Sequence, residues 1–60
     1  MRYLIMDGRA KTSLSDYPAE RATVLEICVS LKEARKRKKE WEDACIVDSE
    51  TGKILWEEEH

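Results

Sequence analysis

Lys32, Arg35, Lys36 and Lys39 are separated by threes and fours, so on a helix they share one side and form a compact cationic patch. Clustered Lys and Arg bind phosphate backbones, with an affinity that falls steeply with salt. They belong to a longer run, Arg35-Lys36-Arg37-Lys38-Lys39, whose five consecutive residues spread around the whole circumference of a helix. Ordinary structural reasons also place cations here. They favour the last turns of a helix, they are good helix formers, and Glu33 and Glu40 stand four residues from Arg37 and Lys36. A solvated helix face is therefore the default, and polyanion binding through these four residues is the sharper alternative.

Charge along the chain weighs against nucleic acid. Residues 32–39 carry six cations and one anion, whereas residues 40–60 carry one cation and eight anions; the whole chain has a net charge of −2. The acidic third repels phosphate, so nucleic acid is a candidate partner but not the favoured one. Tyr3, Tyr17, Trp41 and Trp56 can stack bases only if interleaved with cations on one surface, and no aromatic-basic recognition string is present.

Catalytic and cofactor chemistry find little support. Carboxylates are abundant but form no spaced acid–base pair, and no glycine-rich phosphate loop occurs. The one histidine, His60, is too distant to complete a zinc site with Cys28 and Cys45. These two cysteines read as small buried apolar residues that stay reduced. The expectation is no enzyme activity, no cofactor and no metal.

Positioning these groups falls to short elements. Ser30 and Glu33 form a capping box, which starts a helix inside the apolar run Ala22–Ala34. The β-branched residues before it, Thr23–Val29, then read as a strand. A single long helix from residue 19 to 42 is the rival, because Val24, Ile27, Cys28 and Leu31 also fit helical spacing. From Leu31 the helix is expected to reach about Asp43, with Leu31, Ala34, Lys38 and Trp41 on one stripe and Trp41 as its buried anchor. Residues 2–6 read as a strand and Asp7-Gly8 as a turn. Residues 9–21 read as a loop, in which Asp16 can cap a helical turn near Pro18. Ala44–Asp48 and Lys53–Glu57 flank the hairpin loop Ser49-Glu50-Thr51-Gly52. Residues 57–60 read as a frayed acidic tail of a single domain spanning residues 1–60.

The resulting fold class is α+β, an antiparallel sheet with one helix packed on one face, in the order β-β-α-β-β; the rival helix gives β-α-β-β. At 60 residues the chain is marginal as a lone unit, so association is the expected stabiliser. One helix covers one sheet face. Strict alternation puts Leu25, Ile27 and Val29 under the helix and turns Val24 and Cys28, together with Trp56, to the other face, a candidate protein interface. No apolar run reaches membrane-spanning length and no secretory signal is seen. The expectation is a cytoplasmic, non-enzymatic interaction module, self-associating or protein-binding through the uncovered face.

Overall fold

The computed structural model describes residues 2–11 and 15–55. Four strands, β1 (Tyr3–Asp7), β2 (Val24–Cys28), β3 (Ala44–Asp48) and β4 (Ile54–Leu55), and one helix, α1 (Leu31–Lys38), follow in the order β-β-α-β-β. The sheet is antiparallel throughout, with spatial order β2-β1-β3-β4. The long-helix alternative is excluded because residues 24–28 pair with β1.

Ser30 starts α1 as its capping box requires: its hydroxyl accepts the Glu33 N–H at 3.1 Å from an extended backbone. The helix ends at Lys38, five residues short of Asp43. Glu40 and Trp41 donate their N–H groups to the carbonyls of Arg37 and Lys38, both at 3.0 Å. These i to i+3 bonds tighten the chain into a turn and direct it back toward β3.

The sheet has two dissimilar sides. Ile5, Cys28, Ala34, Ala44 and Ile46 form a buried cluster on the helix side, bordered by Tyr3, Leu25, Leu31 and Leu55. The helix docks through Ala34, which is fully buried, and half-buried Leu31. A methyl group at the contact lets the helix backbone approach the sheet closely. Trp41 does not anchor it: the indole lies beyond the helix and is 40% exposed.

On the opposite side Met6, Ala10, Cys45, Val47 and Ile54 form a second cluster, bordered by Leu4 and Ala22. Ala10 and Ala22, from the two ends of the connection between β1 and β2, pack on this side of the sheet. That connection opens with a 3₁₀ turn, Gly8–Ala10, capped by Asp7 rather than by Asp16 near Pro18. The Asp7 carboxylate accepts from Arg9 N at 2.9 Å and from Thr23 N at 3.3 Å, tying the two ends of the loop together. The helix-free side is therefore covered over β1, β3 and β4.

Strand β2 departs from strict alternation. Met6 pairs with Val24 but Ile5 pairs with Glu26, so Leu25 is the extra residue of a β-bulge. The bulge reverses the side-chain parity beyond it. Leu25, Glu26 and Cys28 lie on the helix side, while Val24 and Ile27 lie on the other.

Candidate functional site

Two surfaces carry the chemistry of this domain, the end of α1 and the outer edge of β2. At the first, Lys32, Arg35, Lys36 and Lys39 are all exposed on α1 and its C-cap. The ion pairs among the described residues are Arg9–Asp7, Lys11–Asp43, Arg37–Glu26 and Arg37–Glu40, so none of these four cations takes part in one. Within the run, Arg37 pairs with both Glu26 and Glu40. Its guanidinium donates to Glu26 Oε1, with Nε at 2.9 Å.

Glu26 is shared. Its other oxygen accepts the indole N–H of Trp41 at 2.9 Å. The Arg37 hydrogen bond, and after it the Trp41 bond, hold the Glu26 carboxyl below the usual carboxylate range. One strand residue thereby fixes a helix side chain and the aromatic ring that follows the helix.

Beyond the helix end lies a groove of about 320 Å³, lined by Lys11, Arg35, Lys38, Lys39, Trp41, Glu42, Asp43 and Ala44. It contains only two of the four patch residues named from helical spacing. Lys32 and Lys36 are not among the lining residues. Lys11 arrives from the β1–β2 connection and pairs with Asp43 at 2.9 Å. No helical period could have found it, because its partner is thirty-two residues away in sequence.

The second surface is β2 itself. Val24, Ile27 and Val29 are 42%, 60% and 72% exposed and account for three of the five large exposed apolar side chains among the described residues. Of the three candidate interface residues, Val24 lies on this surface, Cys28 is buried beneath the helix, and Trp56 falls outside the described residues. Cys28 was expected to face away from the helix; the Leu25 bulge turns it inward. Ile27 takes its place on the open side.

Backbone groups are open there too. Asp7 N donates to Thr23 O at 3.1 Å, which sets the direction in which alternate β1 groups point. In that ladder Ile5 and Tyr3 exchange bonds with Glu26 and Cys28, leaving the Ile27 N–H and C=O directed away from the sheet. The other edge meets a loop. Ile54 on β4 donates its outward N–H to Asp16 O at 2.7 Å.

No family model, curated protein or solved structure matches this chain.

The two thiols are buried and free. Burial pushes both Cys28 and Cys45 up from the ordinary thiol range. At Cys28 the charges of Glu33 and Glu26 add to this; at Cys45, Lys11 and Lys38 partly oppose it. The two sulfurs belong to clusters on opposite sides of the sheet and are not bonded to each other. Among the described residues no group of three or more His, Cys, Asp and Glu is arranged to hold a metal ion, and no helix is long and apolar enough to cross a membrane.

Proposed function

We propose that this domain is a non-enzymatic interaction module that associates with a second copy of itself through β2. The carrying observation is the asymmetry of the sheet: a loop carbonyl accepts the outward N–H of Ile54 on β4, while β2 keeps an open edge flanked by Val24, Ile27 and Val29. Native sheets generally protect such edges with charge, proline or a covering segment. Between Val24 and Val29 the only charged residue is Glu26, which lies on the helix side and is neutralised by Arg37. Pairing two copies antiparallel about Ile27 joins the sheets and buries the exposed valines and isoleucine of both. The same edge can accept a strand from a different protein, and the reduced, separated cysteines suit a cytoplasmic setting.

Sedimentation equilibrium at several concentrations tests this. A monomer–dimer equilibrium is expected, shifted to monomer by Ile27→Lys, which places a charge on the edge. The short edge makes the dimer weaker than a standard interface, which buries roughly 800 Å² per partner. A chain that remains monomeric at millimolar concentration, or a dimer indifferent to Ile27→Lys, overturns the reading.

A further inference from the structure

We propose that the groove at the end of α1 binds a nucleotide, with the phosphate on its cations and the base against Trp41. The inference stands apart from the β2 edge: of that strand it uses only Glu26, which lies on the helix side.

Among the described residues the groove walls carry the cations Lys11, Arg35, Lys38 and Lys39 and the carboxylates Glu42 and Asp43. Asp43 is already engaged by Lys11 at 2.9 Å. Arg35 and Lys39 take part in no ion pair among the described residues, so they can meet the negative charge of a phosphate monoester. The cavity, about 320 Å³, stands at the lower end of small-molecule sites, which start near roughly 300 Å³.

Trp41 supplies the second half of the chemistry. An exposed indole with no fixed partner loses conformational freedom when a ring stacks on it. Here the Nε1–H bond to Glu26 already fixes the ring, and Glu26 is itself held by Arg37. Trp41 is preorganised and still 40% exposed. A planar base can therefore stack at little ordering cost, and stacking tolerates any base. A free nucleotide and the 5′-terminal nucleotide of a single strand offer the same chemistry.

The groove and the helix patch make different demands. Lys11 and Trp41 belong to the groove alone, Lys32 and Lys36 to the patch alone. Amide chemical-shift titrations of the full chain at low salt, with AMP, adenosine, inorganic phosphate and a 5′-phosphorylated pentanucleotide, separate them. AMP is expected to saturate at residues 11, 35, 38–39 and 41–44, and to bind at least about fivefold more tightly than adenosine or phosphate. Lys11→Gln and Trp41→Ala should each weaken AMP severalfold, whereas Lys32→Ala and Lys36→Ala leave it unchanged. Trp41→Phe, which keeps a stackable ring, should recover most of the loss from Trp41→Ala. A pentanucleotide that follows the same Lys11 and Trp41 dependence supports the site and makes a strand end its source. Adenosine binding as well as AMP, absence of saturation, or dependence on Lys32 and Lys36 rather than Lys11, overturns the proposal.

Discussion

The indole N–H of Trp41 donates to Glu26 Oε2 at 2.9 Å, joining the turn after the helix to the edge strand. Glu26 also receives Arg37, so a single carboxylate ties together β2, α1 and the approach to β3. It occupies the helix side only because the bulge at Leu25 turns it there.

Acid is expected to weaken the fold through this residue and through Asp7. Both carboxyls lie below their ordinary values in the folded state, Glu26 through Arg37 and Trp41, Asp7 through its hydrogen bond with Arg9. A depressed folded pKa contributes stability that is present above the unfolded value, about 4, and lost as pH falls through the folded value. Thermal unfolding between about pH 6 and pH 2 should show a falling midpoint. Glu26→Gln should flatten part of that slope; an unaltered slope in both Glu26→Gln and Asp7→Asn would contradict the assignment.

Trp41→Ala should destabilise the domain less than Ile5→Ala or Ile46→Ala. Ile5 and Ile46 are opposed across β1 and β3 and almost wholly buried, so each truncation should cost about 2–5 kcal/mol. Urea unfolding of the three variants ranks them. A larger loss at Trp41 would mean that the ring, rather than Ala34 and Leu31, docks the helix.

Ser30→Ala removes the acceptor for the Glu33 N–H and should cost about 1 kcal/mol, read as a lower urea midpoint with unchanged slope. Ser30→Gly should lose only a few tenths of that amount. Equal losses for the two would separate the effect from the cap.

The two glycines should fail for different reasons. Gly52 has φ +75° with open space around its missing side chain, so Gly52→Ala meets only backbone strain, about 1–2 kcal/mol. At Gly8 an added Cβ would strike the Asp43 carboxylate, displacing it from Lys11. Stability lost in Gly8→Ala should be largely recovered in the double variant with Asp43→Ala, which a thermal-unfolding cycle would reveal.

Thiol-reactive reagents should label the native protein slowly. Both sulfurs are buried, and that burial raises their pKa and so disfavours the thiolate. Labelling should accelerate in denaturant as opening exposes them. Rapid stoichiometric labelling of the native chain at neutral pH would show an open route to one cluster.

Local chemistry made much of the fold legible. The Ser30–Glu33 spacing located the helix start, β-branched content marked Thr23–Val29 as a strand, of which Val24–Cys28 pairs, and Gly52 closed the hairpin. Each depends on a few neighbouring residues and on backbone preferences that act within them. Composition likewise separated a basic helix from an acidic third.

Relations between distant residues required the tertiary structure. A bulge adds one residue to one strand of a pair, so it exists only once β2 meets β1; it moved Cys28 under the helix and left Ile27 outside. The covering of the second sheet side depends on Asp7 bonding to Thr23 and on Ala10 reaching Val47 and Ile54. The groove depends on Lys11 meeting Asp43. Local spacing encodes turns and periods, whereas strand register and loop packing are settled by which distant surfaces bury each other, and that choice is made by the folded chain as a whole.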